Sequence, residues 1–372
     1  MSQREIPCTV YRGGTSRGLF FNKKDLPEDI EKKKDIFMQS IDTSNVTQIN
    51  GLGGGTSHTS KICVIAPTVE QGIDAEYTFY QAGIGKDIID DKGTCGNLMA
   101  AVGAYVVDQG FAEANHNEAY IDVSVINTNI DKKISIRVPV ESGQVKMTGN
   151  FQMIGVKQPG SKFHVSVLEP GGENTGQIIP AEGIQVNTMN GTEYHYSLSD
   201  VMNPFVFTPG EEFNLSASDR IDKLTGNKEL MDLFEELRRT ASYKSGITNS
   251  LEEAKQIHNI PKVGVVWVPQ DYVTMSGEVI KKEEVDIVAK MISMEKFHRT
   301  FAVSGLFALA VSCLFEDTIP NKCTEENTNE IRIGHPEGVV AVSVELNTDG
   351  SIKKVGIDRT VKRIIKGNLF YT

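Results

Sequence analysis

One cysteine in this 372-residue chain stands where a thiol could do chemistry, with a buried inert cysteine as the competing and commoner reading. Cys95 stands in "DKGTCGNLMAAVGAYVVDQG", residues 91 to 110, directly before an apolar run that reads as a buried helix. A thiol at a helix N-terminus meets the positive end of the macrodipole and unpaired N–H groups, both of which favour thiolate, so such a cysteine can serve as an acid or base near neutral pH. The N–H groups of the residues that follow, Gly96 and Asn97, can also receive a substrate carboxylate or a developing enolate oxygen. Cys63 in "KICVIAP" and Cys313 inside an apolar periodic run read instead as inert core thiols.

Four other stretches carry chemistry-bearing side chains. "YRGGTSRG", residues 11 to 18, follows a short strand and offers Arg12, Gly13, Gly14, Thr15 and Ser16 as an anion cradle, because glycine lets backbone N–H groups approach a ligand and arginine grips a carboxylate in a fork. A plain hairpin turn is the competing reading. "GLGGGTSHTSK", residues 51 to 61, lacks both the phosphate-loop spacing and the dinucleotide fingerprint, so nucleotide binding is rejected. It remains a Gly/Ser/Thr loop that delivers Ser57, His58, Ser60 and Lys61. Lys61 opens the strand "KICVIAP", where partial desolvation would favour the neutral amine and suit it to act as a base; an exposed lysine at a strand start is the alternative. "MNPFVF" places Asn203 before an apolar strand, and "SMEKFHRT" places His298 shortly before a second apolar helix, at whose start stand Ser304 and Gly305.

These residues need elements to hold them. Alternating runs such as "CTVYRG", "SRGLFFN", "KICVIAP", "AEYTFYQAGI", "YIDVSVIN" and "KISIRVPV" predict a mostly antiparallel sheet in the first half. "VMNPFVFT", "KVGVVWVP", "VVAVSVELN" and "SIKKVGIDRT" predict strands in the second. Helical periodicity predicts helices over 28–41, 97–111, 228–241, 282–292 and 304–316. Strands and helices do not alternate strictly, so the expected class is α+β. "TCGNLMAAVGAYVVDQG" aligns without a gap on "VSGLFALAVSCLFEDT", setting Cys95-Gly96 on Ser304-Gly305. The alignment suggests an internal repeat, and two Gly/Ala-rich helices alike by composition alone would give the same match. The Pro/Gly-rich segment 169–184 is the candidate linker, with domains expected at 1–182 and 183–372 and the last residues able to pack back on the first domain.

Charge and composition narrow the function. A formal charge of −11 without a basic stripe gives no general attraction to nucleic acid or to anionic membranes. Five widely spaced cysteines show neither metal-ligand spacing nor a disulfide framework, and a reducing cytoplasm suits them best. The longest apolar stretch, 301–315, is too short to span a bilayer, and no apolar leader opens the chain, so it reads as soluble and unexported.

The motifs "YRGGTSRG", "NGLGGGTSHTSK", "GTCGN", "MNPFVF", "PKVGVVWVPQDY", "SMEKFHRTFAVSG", "IGHPEG" and "DRTVKRIIKG", in this order from about residue 7 to 368, resemble those of the PrpF family. That family includes methylaconitate, methylitaconate and oxalomesaconate isomerases and belongs to the diaminopimelate epimerase-like superfamily. The resemblance implies two similar domains, each a β-barrel-like sheet around a central helix, with the active site in the cleft between them. It assigns the second acid/base to Lys61 beside Cys95, and Ser304 stands where the epimerases carry a second cysteine. A hydroxyl is a poor base, which disfavours two-base epimerisation and suits a double-bond shift.

The expectation is therefore a cofactor-independent isomerase, with no metal, that shifts a C=C bond by 1,3-proton transfer in a small unsaturated di- or tricarboxylate. Cys95 and Lys61 are the catalytic pair. Arg12, Gly13, Gly14, Thr15, Ser16, Ser57, His58, Ser60, Gly96, Asn97, Asn203, His298, Ser304 and Gly305 are the substrate-binding set. Which of the pair abstracts the proton stays open, as does a homodimer. A racemase or epimerase of a small carboxylic acid, which would want a second cysteine, and a non-catalytic accessory to an aconitase-like enzyme, which would have no use for Cys95 or Lys61, are the alternatives.

Overall fold

The computed structural model describes residues 3–91, 93–181, 183–257, 260–324 and 329–372. Lys92, three residues before Cys95 in the sequence, and Glu182, at the expected domain division, lie outside them. By contact the chain separates into two compact units, Met1–Leu168 with Ile357–Thr372, and Glu169–Gly356.

The first unit carries β1 (Arg4–Gly13), β2 (Ser16–Asn22), α1 (Ile30–Ile41), β3 (Lys61–Pro67), β4 (Ala75–Ala82), β5 (Ile89–Asp90), α2 (Gly96–Asp108), β6 (Tyr120–Asn127), β7 (Lys132–Glu141), β8 (Gln144–Val145) and β9 (Phe163–Leu168). The second carries β10 (Gln185–Met189), β11 (Thr192–Val201), β12 (Asn203–Pro209), α3 (Ile221–Thr225), α4 (Lys228–Lys244), α5 (Leu251–Gln256), β13 (Lys262–Trp267), β14 (Tyr272–Val273), β15 (Val279–Ile280), β16 (Ile287–Ser293), β17 (Lys296–Phe297), α6 (Val303–Leu314), α7 (Ile319–Cys323), β18 (Glu330–His335) and β19 (Gly338–Leu346). Strand β20 (Ile352–Arg359) leads the chain back to the first unit, where β21 (Val361–Tyr371) pairs antiparallel with β1 from Arg4 to Gly13.

In the first unit β1 and β2 form a hairpin, β2 runs parallel to β3, β3 and β5 flank β4 antiparallel, β4 runs parallel to β6, and β6 pairs antiparallel with β7. A parallel neighbour requires a crossover, and the two crossovers are α1 and α2. Helix α2 is buried from Leu98 to Val107 and touches β1, β2, β3, β6, β7, β8, β9 and β21, so strands surround it. This is why its sequence is apolar on every side: no face meets water. Gly103 sets its depth, since a Cβ there would lie 2.6 Å from Ile136 Cγ2. Helix α1 caps the other face of the sheet, with Ile36, Phe37 and Ile41 packed on Leu19, Phe21, Val64 and Tyr80. Its N-cap, Asp29, accepts the N–H groups of Glu31 and Lys32 at 3.0 and 3.1 Å.

The second unit repeats the order. Strands β11 and β12 form a hairpin, β12 runs parallel to β13, β13 and β17 flank β16 antiparallel, β16 runs parallel to β18, and β18 pairs with β19. Helix α6 lies in the crossover from β16 to β18 and is buried from Gly305 to Cys313. The repeat is thus one of strand order as well as of two similar helices.

The helix expected over 282–292 is replaced by a short turn and strand β16. Its residues from Ile287 to Ile292 are all buried, so the run is apolar on both faces and lacks the alternation that marks a half-exposed strand; Lys290, its one charge, donates to the carbonyl of Ser216 at 3.1 Å. The Pro/Gly-rich segment after Leu168 belongs to the second unit and is pinned there. Buried Asp200 accepts the N–H groups of Asn174 and Thr175 at 2.7 and 2.8 Å.

Candidate active site

In the first unit the candidate residues gather where α2 begins. Cys95 is the N-cap, with extended backbone (φ −127°, ψ 97°), a carbonyl that accepts the N–H of Leu98 and a half-buried side chain that makes no capping bond. Gly96 and Asn97, in the first turn, have no intrahelical partner for their N–H groups. The thiol is therefore left to other contacts, and Cys95 Sγ lies 3.8 Å from Ser16 Oγ. Asn127 Nδ2 donates to Thr94 Oγ1 at 2.9 Å and so fixes the residue before the thiol.

Ser16 opens β2 opposite Gly13, leaving Gly14 and Thr15 as a two-residue turn; the segment is thus a hairpin turn and also a surface pressed on the helix start. Gly14 has φ +53°, and a Cβ on it would fall 2.2 Å from Asn97 Oδ1. On Gly13 a Cβ would fall 2.6 Å from the Asn97 carbonyl. Only glycine admits this approach. Asn97 Nδ2 in turn donates to Thr15 Oγ1 at 3.1 Å. Arg12 ties the turn to the chain's end: its Nη1 donates to the Gly14 carbonyl at 2.9 Å and to the Thr360 carbonyl and hydroxyl at 2.8 and 2.9 Å. Burial lowers the pKa of its guanidinium.

Arg359 is the basic residue that the sequence did not single out. It is 7% exposed, its Nε donates to Asn97 Oδ1 at 3.2 Å, and its Nη1 donates to the Asp358 carbonyl at 2.9 Å. Desolvation brings its pKa down to about 10, and a charge at Cys95 acts on it in the opposite sense. It lay within the quoted motif "DRTVKRIIKG", but only the return of the last strands places it at the start of α2.

Lys61 is the first residue of β3, paired with Gly18 of β2 on one side and Gln81 of β4 on the other. Its Nζ donates to Gln81 Oε1 at 2.6 Å and stands 5.1 Å from the centre of the Phe79 ring. Gln81 Nε2 donates to the Ser60 carbonyl at 2.8 Å, which turns Oε1 toward the lysine. Gln81 is thus a second residue that sequence reasoning missed. Lys61 and Cys95 meet electrostatically at Cys63: burial holds that thiol well above its ordinary pKa, charge at Cys95 pushes it further up, and Lys61 pulls it down.

The rest of the loop is occupied in holding itself. Buried Ser60 donates to Gln48 Oε1 and the Thr56 carbonyl, both at 2.8 Å. Ser57 and His58 are exposed; the Ser57 carbonyl accepts from Gln81 Nε2 at 3.4 Å and that of His58 from the Arg17 N–H at 2.8 Å.

In the second unit Ala302 is the N-cap of α6, so half-buried Ser304 stands in the first turn, two residues further into its helix than Cys95 is into its own. Gly305 is pressed on aromatic rings: a Cβ there would lie 2.4 Å from Phe205 Cζ and 2.6 Å from Phe301 Cε1. Asn203 begins β12 after a one-residue turn at Met202 (φ +63°), the hairpin position that Ser16 holds in the first unit. His298 is exposed, with Nε2 3.1 Å from the Ser293 carbonyl. Among the described residues there is no group of three His, Cys, Asp or Glu placed to hold a metal, and no helix is long and apolar enough to cross a membrane.

Comparison with known proteins identifies the family. Residues 3–372 match the family described as PrpF protein. The 3-methylitaconate isomerase of Eubacterium barkeri is 31% identical over 99% of this chain and 97% of its own length. The 2-methyl-aconitate isomerase of Shewanella oneidensis is 27% identical over 98% of this chain and 96% of its own. The crystal structure of a methylitaconate-delta-isomerase superposes with a TM-score of 0.92 at 31% identity, covering 100% of this chain and 96% of that one. The chain belongs to the PrpF family and is an isomerase.

Proposed function

We propose that this isomerase shifts a carbon–carbon double bond by 1,3-proton transfer in a small unsaturated di- or tricarboxylate, with Cys95 and Lys61 as the acid–base pair and with no metal or organic cofactor. The observation that carries the reading is that strand β2 serves both groups: Ser16 at its start lies 3.8 Å from Cys95 Sγ at the N-cap of α2, and Gly18 two residues on pairs with Lys61, while Arg359 donates to Asn97 in the first turn of the same helix. The relatives named for 3-methylitaconate and 2-methyl-aconitate support the substrate class. One of the pair removes a proton from the carbon allylic to the double bond and next to a carboxylate. The electron pair left behind spreads through the double bond as a dienolate, and the other group delivers a proton two carbons away, so that no atom or electron is gained or lost. Negative charge builds on carboxylate oxygens, where N–H groups of Gly96 and Asn97 and the side chains of Arg12, Thr15, Ser16, His58 and Arg359 are suited to receive it. Asn203, His298, Ser304 and Gly305 of the second unit are proposed as further carboxylate donors. Five free cysteines fit a reducing cytoplasm.

The test is turnover in deuterated water containing EDTA, with 3-methylitaconate, 2-methyl-aconitate and (4E)-oxalomesaconate followed by NMR. One of them is expected to take up deuterium at the allylic carbon and to shift its double bond, and Lys61→Ala and Cys95→Ala each to lower kcat by at least about 10²-fold with folding intact. A requirement for added metal, or turnover within a few fold of wild type in both variants, would sink the proposal.

A further inference from the structure

The strand order repeated in the two units makes a prediction about side chains that the family resemblance did not supply. In the first unit the strand that follows the hairpin opens with Lys61, set against Gly18, the third residue of β2. In the second unit the equivalent strand, β13, opens with Lys262, set against Phe205, the third residue of β12. The two lysines occupy the same place in the same topology. Each also lies over an aromatic ring, Lys61 Nζ at 5.1 Å from the centre of Phe79 and Lys262 Nζ at 5.8 Å from that of Phe205.

Their partners differ. Lys61 is held by Gln81, whereas the register of Val263 opposite Ile292 sets Ser293 in the corresponding place beside Lys262. Among the described residues Lys262 Nζ has neither a hydrogen bond nor an ion pair. The ring beneath it is the one on which Gly305 is packed, so the ammonium stands near the start of α6 with Ser304. Ser293 also accepts from His298 Nε2 at 3.1 Å, which brings the imidazole to the same corner.

We propose that Lys262 is a carboxylate-binding residue of the second unit, receiving an anionic group of the substrate beside Ser304 at the start of α6. The inference rests on the proposed reading only in taking a small polycarboxylate as the ligand. An ammonium drawn out of water with no counter-charge destabilises a fold, and such a group is retained where its charge is used. Burial alone brings Lys262 down to about 8, and no acidic or basic side chain on the elements packed against β13 contributes to that shift. An incoming carboxylate would supply the missing counter-charge and hold the ammonium protonated to higher pH.

The experiment titrates cis-aconitate into wild type, Lys262→Met and Lys262→Arg by calorimetry between pH 6.5 and 9.5, with turnover of 3-methylitaconate and 2-methyl-aconitate measured in parallel and folding checked by circular dichroism. Wild type is expected to lose affinity as pH rises through about 8, where the free lysine gives up its proton. Lys262→Arg, whose guanidinium stays charged, is expected to bind with little change over that range. Lys262→Met is expected to bind at least about 10-fold more weakly at pH 7 and to raise KM more than it lowers kcat. Unchanged affinity in Lys262→Met, or a pH dependence that Lys262→Arg leaves in place, overturns the inference while the isomerase reading stands. Binding that depends on Lys262 in a protein that turns over no unsaturated acid overturns the isomerase reading and leaves the anion site.

Discussion

At the scale of the residue, exposure separates one thiol from four. Cys8, Cys63, Cys313 and Cys323 are buried, and desolvation raises the pKa of each, to about 12 for Cys8, Cys313 and Cys323. Cys95 alone is half exposed, at the rim of a helix start. Iodoacetamide at pH 8 is therefore expected to modify Cys95 well before any other cysteine, to be slowed by a bound polycarboxylate, and to reach all five only in denaturant; peptide mass mapping reads this directly. Preferential labelling of Cys8 or Cys323, with activity retained, would remove Cys95 from the chemistry. The position of Cys95 at a helix start was legible in the sequence because the thiol stands just ahead of an apolar run, whereas the pattern around Lys61 fits an exposed lysine at a strand start equally and only the family resemblance singles it out. Arg359 was not legible, since its partner Asn97 is 262 positions away and nothing local distinguishes it from an exposed arginine.

Elements carry the positioning, and their legibility followed their exposure. Half-buried strands such as β4 and β6 alternate and were readable; β16, buried on both faces, has the hydrophobic density of a buried helix and was read as one. For the proposed site the decisive element is the β1–β2 hairpin, whose tip reaches Asn97 because Gly14 has no side chain and accepts a positive φ. Gly14→Ala sets a Cβ 2.2 Å from Asn97 Oδ1 at φ +53°, so it is expected to destabilise the protein by about 1–3 kcal/mol and to lower kcat/KM by pushing Asn97 away from Thr15 and Arg359. Gly72→Ala provides the control, with φ +79° but no atom within 4 Å of the added Cβ. It carries the backbone cost alone and should leave kcat/KM unchanged. Equal kinetic effects in the two variants would mean that the hairpin tip does not position the site.

For the molecule as a whole, the duplicated architecture stores four of its five thiols out of water, Cys8 and Cys63 in the first unit and Cys313 and Cys323 in the second. Stability at alkaline pH follows from this. In the unfolded chain a thiol ionises near 9.0, whereas in the folded chain Cys8, Cys313 and Cys323 keep their protons to about 12. Between these values the folded state binds more protons than the unfolded one, so stability falls as pH rises, by up to about 1.4 kcal/mol per pH unit for each thiol, and is insensitive to these groups below about pH 8. Urea unfolding at pH 7.5, 9.0 and 10.5 should show this decline, and replacing Cys8 and Cys323 together by alanine should make it shallower. An unaltered slope in the double variant would shift the cause to the remaining thiols, Cys63 and Cys313, and to Tyr11 and Tyr105, whose pKa burial also raises.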